Sequence, residues 1–323
     1  MQKKIHTWQF ILKNIQLGTG VVMLYVLESS GSSPGRQGFL MAVNTNGEMH
    51  GSIGGGIMEH KFVEMAKSRL NDGLQEHSLH HQFHDKTAAS NQSGMICSGE
   101  QTIFIYTVLP KDKTAIEKVI QALVHLEPGC IILTATGIGF ENSIPPNEFE
   151  FTKTGDAEFI YREKTGSPNY LHIIGGGHCS LAFSALMHSM DFYIHVYDER
   201  AGLNTMEANT HAHEKQILHS YADLKNIIPY GQGQYAVIMT FGYRTDKIAL
   251  QALLNKHFFY LGVLGSKTKI SKMFNDMQLE GIAAADLTHI HAPVGIPIKS
   301  RTPEEIAISI AAEIIQVKNR NLP

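Results

Sequence analysis

LHIIGGGHCSLAFSALMHSMDFYIHVYDER, residues 171–200, decides the fold. It opens on an apolar run, turns through three glycines, continues as a helical pattern and closes on a second apolar run that ends in an acid. Gly175, Gly177 and Ser180 fill the three places of the G-x-G-x-x-G/A pattern, with serine in the third. There the first glycine makes a tight turn, the second lets a pyrophosphate approach the backbone, and the third needs only to be small so that helix packs on strand. The helix start adds unpaired N–H groups and partial positive charge. Asp198 follows Gly175 by 23 positions, at the end of the next strand, where a ribose diol would be bound. The glycines alone are a weak signal; strand, turn, helix, strand and acid in that order are a specific one. A Rossmann-type domain that binds no dinucleotide is the other reading of the same pattern. Cys179 in the turn is either a reactive thiol at a helix start or a small buried apolar residue.

Working outward toward the C-terminus, YAVIMT (235–240), FFYLGVLG (258–265) and LTHIHAP (287–293) read as further short strands, several separated by helical patterns. Strands alternating with helices predict an α/β fold with a doubly wound parallel sheet over 166–323. Ligands of such sheets bind outside the carboxyl ends of the strands. Gly175–Ser180, Thr240–Asp246, Gly265–Lys269 and His291–Gly295 would gather there. Gly265, Ser266 and Lys267, followed by Lys269 and Lys272, read either as a second anion site or as a solvated lysine face. Thr302-Pro303-Glu304-Glu305 is a capping box with proline at the first helical position, so these residues are structural.

Toward the N-terminus, a chain of 323 residues, 43% hydrophobic and 18% charged, has room for two domains. Trp8, Ile11, Leu12 and Ile15 mark an amphipathic first helix rather than a signal peptide. VVMLYVLES is a buried strand, and GFLMAV and EMHGSI form a hairpin about Asn46-Gly47. GSIGGGIMEH (51–60) then enters a helix with Ile57, Phe62, Met65, Ala66 and Leu70 on one face. Gly54, Gly55 and Gly56 are either a second phosphate cradle or a tight turn that lets this helix pack closely. With the strands QTIFIYTVL and GCIILTATG and the helix TAIEKVIQALVHL they make an N-terminal α/β domain over 1–165, in which 141–168 reads as a hairpin and linker.

The net charge of −3 offers no footprint for nucleic acid. No run approaches the ~18 apolar residues of a membrane span. Cys97, Cys130 and Cys179 are too scattered for a zinc site or a disulfide framework and suit a reducing cytoplasm. His77, His80, His81 and His84 cluster in HSLHHQFH without acidic or thiol partners, which favours a solvated strand or loop over a metal site.

Four segments, ESSGSSPGRQGFLMAV (28–43), GEMHGSIGGGIMEH (47–60), YLGVLGSKTKISKMFNDMQLEGI (260–282) and IHAPVGIPIKSRTPEEIAISIAAEII (290–315), resemble the XdhC/CoxI family, the accessory proteins of molybdenum hydroxylases such as xanthine dehydrogenase. The resemblance implies a cytoplasmic homodimer that binds the molybdenum cofactor, a pyranopterin in mononucleotide or dinucleotide form. It would protect the cofactor and hand it to an apo molybdenum hydroxylase, working with a cysteine desulfurase. Gly54–Gly56 and Gly175–Gly177 would then approach one large anionic ligand. Arg36 lies in the family's N-terminal signature loop and is either a phosphate ligand or a structural ion-pair residue. Glu59 follows the glycines inside the motif, where a charge against the helix dipole explains it. Cys97, in MICSGEQT, matches a family cysteine and is either a molybdenum-facing thiolate or a buried apolar residue. The hairpin at 38–53 is the candidate dimer surface.

The chain departs from the family at three places. It has Cys97-Ser98-Gly99 for Cys-Gly-Gly, Gly175-Gly176-Gly177-His178 for Gly-Ala-Gly-His, and Phe241 where a histidine is usual. The last removes a titratable group from the expected crevice. Three functions follow: a non-catalytic cofactor carrier, a scaffold that binds the hydroxylase and desulfurase without holding cofactor, and an NAD(P)-dependent oxidoreductase suggested by Gly175, Gly177 and Asp198. The oxidoreductase needs a positioned acid or base, for which Tyr243 and His291 are candidates by strand-end position only.

Overall fold

The structure is a computed structural model that describes residues 2–75, 77–83, 99–155, 158–166, 169–229, 231 and 233–320. Cys97 and His84 lie outside the described residues. The chain divides into two compact units, Met1–Ser167 and Pro168–Pro323.

In the first unit, the continuous apolar run at 21–27 opens β1 (Val21–Gly31), the centre of an antiparallel sheet. Its neighbours are β2 (Leu40–Asn44), β3 (Met49–Gly51), β4 (Ser78–Phe83) and β5 (Gly99–Thr107), in the order β3-β2-β1-β5-β4. The two-residue period of β1 sorts its side chains onto two cores. Val22, Leu24 and Val26 meet Met58, Phe62 and Ala66 of α2 (Gly56–Asn71). Met23, Tyr25 and Leu27 meet Trp8 and Ile11 of α1 (Gln2–Gln16) and Ile116 and Val119 of α3 (Lys113–His125). Each such side chain contributes about 1.5–3 kcal/mol by leaving water. The polar 141–168 stretch joins β6 (Gly129–Thr134) and β7 (Gly137–Glu141) as β8 (Phe149–Lys153) and β9 (Phe159–Thr165), a second antiparallel sheet in the order β7-β6-β9-β8. Buried Glu163 on β9 accepts from Tyr25 Oη at 2.5 Å, from Tyr161 Oη at 3.1 Å and from the Lys4 ammonium, tying α1, β1 and β9 together.

In the second unit, β10 (Asn169–Ile174), β11 (Phe192–Asp198), β12 (Glu214–Ile217), β13 (Gln234–Ile238) and β14 (Tyr260–Val263) are parallel throughout, in the order β12-β11-β10-β13-β14. The strand order reverses beside β10, which makes the ends of β10 and β13 the topological switch point. Adjacent residues of one strand serve opposite faces. Ile173 and Val237 pack with α4 (His178–Ser189) and α10 (Pro303–Lys318), whereas Ile174 and Ile238 pack with α6 (Leu224–Ile227), α7 (Tyr243–Leu253) and α8 (Lys267–Leu279), after the short α5 (Asn204–Glu207). The predicted doubly wound parallel sheet is therefore present.

LTHIHAP is not a strand. Its first residue ends the short helix α9 (Ala284–Leu287), and only His291 pairs with the sheet, through a single parallel bridge to Gly262. Pro293 has no N–H to extend the ladder. β12 carries no apolar pattern, since all four of its residues are exposed.

Candidate functional site

Backbone geometry explains two of the three glycines after β10. Gly175 has φ +115°, and a Cβ there would stand 2.4 Å from Met239 O. At Gly176 a Cβ would crowd Met206 at 3.2 Å. Gly177 differs: its φ of −75° suits any residue, and a Cβ would meet nothing within 4 Å. Neither conformation nor packing requires glycine there, so the residue leaves open space at the start of α4. No side chain caps that helix. Its first-turn N–H groups thus have no side-chain cap, and helix starts of this kind suit a phosphate. Ser180, at the third place, is buried, as close packing of helix on strand demands.

Asp198 sits at the end of β11 as predicted, but its carboxylate is already engaged. Oδ2 accepts from Gly176 N at 2.7 Å and Arg200 Nη2 at 2.7 Å, and Oδ1 from Arg200 N at 2.9 Å and Nε at 2.8 Å. Burial by itself raises this carboxyl. The Arg200 fork and the two backbone N–H groups outweigh it and hold the group below its ordinary value. The acid therefore fastens the glycine turn to β11, and a ribose diol would have to compete with Arg200 for it. Arg200 also lies over the Phe241 ring, 5.1 Å from its centroid. Beside this pair, Tyr221 Oη is fully buried with no hydrogen-bond partner among the described residues. Burial, then the Asp198 charge, pushes its phenol up.

Thr240 follows β13 and is fixed by Asp246, whose Oδ1 accepts from Thr240 N at 3.0 Å and Oγ1 at 2.6 Å. The Lys269 ammonium donates to Asp246 Oδ2 and, at 3.2 Å, to Leu264 O. Lys269 is thus a structural tie between α7 and α8. Lys272 is a solvated lysine 3.5 Å from Asp276. Ser266 caps α8 by accepting from Lys269 N, Gly265 lies against the Lys269 stem, and Lys267 is exposed at the first helical position. His178 is exposed on α4 and lines a different, apolar groove of about 570 Å³ with Leu181, Leu186, Glu304 and Ile308. Cys179 packs against the core beside α4, where burial, then the Glu304 charge, pushes its thiol up.

In the first unit the loop carrying Arg36 meets the second glycine run. A Cβ on Gly54 would stand 2.6 Å from Gly35 N, and one on Gly35 would stand 2.1 Å from Ile53 O. Arg36 itself donates to Gly31 O at 3.0 Å and is exposed. The donors of the Gly54–Gly56 turn are largely taken by the chain. Glu59 Oε2 accepts from Ile53 N and Gly55 N, each at 3.0 Å, and from Ser52 Oγ at 2.6 Å. Glu59 fills the cradle from within, a role the spacing of four residues from Gly55 already permitted. Among the described residues no group of three histidine, cysteine or acidic side chains can hold a metal ion.

Residues 171–314 match the family described as the XdhC Rossmann domain, and residues 15–81 match the XdhC and CoxI family. The chain belongs to the XdhC/CoxI family. It is 26% identical over 302 residues to YqeB, an uncharacterised Escherichia coli protein, covering 92% of this chain and 43% of that one. It is 21% identical over 318 residues to a Bacillus subtilis protein named as a probable xanthine dehydrogenase subunit, covering 93% of each. A Bacillus halodurans crystal structure described as a xanthine dehydrogenase shares the fold, with a TM-score of 0.72, 22% identity and coverage of 98% and 96%. The chain thus spans less than half the length of its E. coli relative. No helix among the described residues is long and apolar enough to cross a membrane. Within the XdhC/CoxI chain, Arg200 and Tyr221 stand beside the first glycine turn and Glu59 within the other, and the motif reading did not single them out for binding. Arg200 left a trace as a basic residue two places after the acid, and Glu59 as an acid four places after Gly55.

Proposed function

We propose that this XdhC/CoxI-family chain is an accessory protein of a molybdenum hydroxylase of the xanthine dehydrogenase type, which binds the molybdenum–pyranopterin cofactor and delivers it to the apo-enzyme. The observation that carries this reading is Gly177, an open position at an uncapped helix start where the chain's own geometry does not ask for glycine. A phosphate or pyrophosphate, which the cofactor bears in its two forms, suits such a place. The name of the B. subtilis relative supports the link to a hydroxylase. The orphaned Tyr221 hydroxyl supports a polar ligand at the same end of the sheet. The α4 N–H groups would hold the cofactor's anion, and the cofactor would supply its oxygen-transfer chemistry only in the client enzyme. Assembly as a homodimer and cooperation with a cysteine desulfurase belong to the same proposal.

Hydride transfer to NAD(P) is the weaker reading. Tyr243 Oη is bonded to Asp276 and His291 Nδ1 lies 3.4 Å from Glu313, so both candidate acids are engaged within the chain. The delivery reading is tested by reconstituting a cofactor-free molybdenum hydroxylase with released cofactor, with and without this chain. Faster or more complete activation in its presence is expected; identical activation would overturn delivery.

A further inference from the structure

At the carboxyl end of the parallel sheet lies a cleft of about 420 Å³, lined by Glu199, Phe241, Gly242, Arg244, Thr245 and Ile248. Three of its features point to one ligand chemistry. Phe241 is 69% exposed, an unusual state for a large aromatic side chain, with the Arg200 guanidinium over its ring. Flat aromatic ligands stack on such a surface, and the cation adds to the attraction. Glu199 presents a carboxylate held in one orientation, because its Oε1 accepts from Tyr221 N at 2.6 Å. Its Oε2 has no partner among the described residues. Arg244 adds a solvent-exposed cation at the rim.

We propose that this cleft binds a 2-amino-4-oxopyrimidine ring, the edge shared by pterins and guanine, with the ring on Phe241 and its N–H donors directed at Glu199. An ionised carboxylate only accepts hydrogen bonds. The 2-amino-4-oxo edge offers two adjacent donors, the ring N–H and the amino group, and matches it. The adenine edge places a ring-nitrogen acceptor beside its single amino donor and sets one lone pair against another. The cleft therefore selects against adenine, and against the adenine end of nicotinamide dinucleotides, by repulsion as well as by fit. The choice of pterin over guanine rests on the carrier reading above; the edge preference does not.

The full-length chain is titrated with 6-hydroxymethylpterin, followed by its fluorescence, and in parallel with GMP and AMP by calorimetry. Binding of the pterin or GMP at least about tenfold tighter than AMP is expected, as for a paired edge contact. Glu199→Gln keeps an acceptor for Tyr221 N–H and so keeps the fold, but turns a donor toward the ligand. It should erase the preference, while Phe241→Ala should weaken every ring ligand. Pterin binding without GMP binding assigns the cleft to the cofactor's pterin. GMP binding without pterin assigns it to the nucleotide end of a guanine dinucleotide. Equal binding of AMP, no effect of Glu199→Gln, or no ring binding at all would overturn the inference. A Glu199→Gln chain that still activates the hydroxylase normally would sink the cleft assignment and leave delivery standing. Glu199-dependent pterin binding without activation would do the reverse.

Discussion

Three glycines in one turn carry different obligations, and substitution separates them. Gly175→Ala places a side chain at φ +115° against Met239 O and should cost about 2 kcal/mol or more, read as a lower denaturant midpoint. Gly177→Ala meets no atom at an ordinary φ, so its melting temperature should match the wild type while affinity for a phosphorylated ligand falls. A drop in stability at Gly177 would mean that the open space is not a ligand site. In the other unit, Glu59→Ala removes the acceptor of Ile53 N and Gly55 N and should cost about 1–3 kcal/mol. An unchanged midpoint would contradict the self-filled turn.

At the scale of elements, the buried Asp246 carboxylate joins the end of β13 to α8 through Thr240 and Lys269. Removing one partner of a buried pair leaves the other charge stranded, so Asp246→Ala should cost about 3 kcal/mol. Adding Lys269→Met should recover part of that loss in a double-mutant cycle; strict additivity of the two changes would deny the coupling. The elements were legible in the sequence where local signals sufficed. Thr302-Pro303-Glu304-Glu305 starts α10 with the predicted box: Thr302 Oγ1 accepts from Glu305 N at 3.2 Å. Asn46-Gly47 turns the β2–β3 hairpin, with Gly47 at φ +78°. LTHIHAP misled because its alternation is real while Pro293 lacks the N–H that would continue a regular ladder, and β12 was silent because an exposed edge strand needs no apolar face. The site was less legible. The glycines and the acid were visible, but which N–H groups are already taken by Glu59, and which carboxylate by Arg200, depends on contacts that spacing does not fix.

At the scale of the whole molecule, the parallel sheet of the C-terminal unit is built around a buried neutral histidine. His172 donates from Nε2 to Gln234 Oε1 at 2.7 Å and accepts from Tyr197 Oη at 3.2 Å, so it is satisfied without a second proton. Burial first, then the nearby His195 and Lys256, brings its imidazole from 6.5 down to about 4. The unfolded chain therefore binds the extra proton between those values, and acid favours unfolding. The stability held in this group is complete above pH 6.5 and is lost as pH falls toward 4, about 3 kcal/mol in all. Urea unfolding followed from pH 7.5 to 4.5 should show it, and His172→Gln should flatten the slope; an unaltered slope would exclude His172 as its source.

The central claim is that this family member holds a pterin cofactor and not a nicotinamide. It is tested most directly by titrating oxygen-free protein in parallel with the molybdenum-loaded pyranopterin and with NADH, and reading retained pterin by its fluorescence after oxidative release. The account predicts stoichiometric pterin that Gly177→Ala diminishes, with no retained NADH. Tight NADH binding without pterin would contradict it.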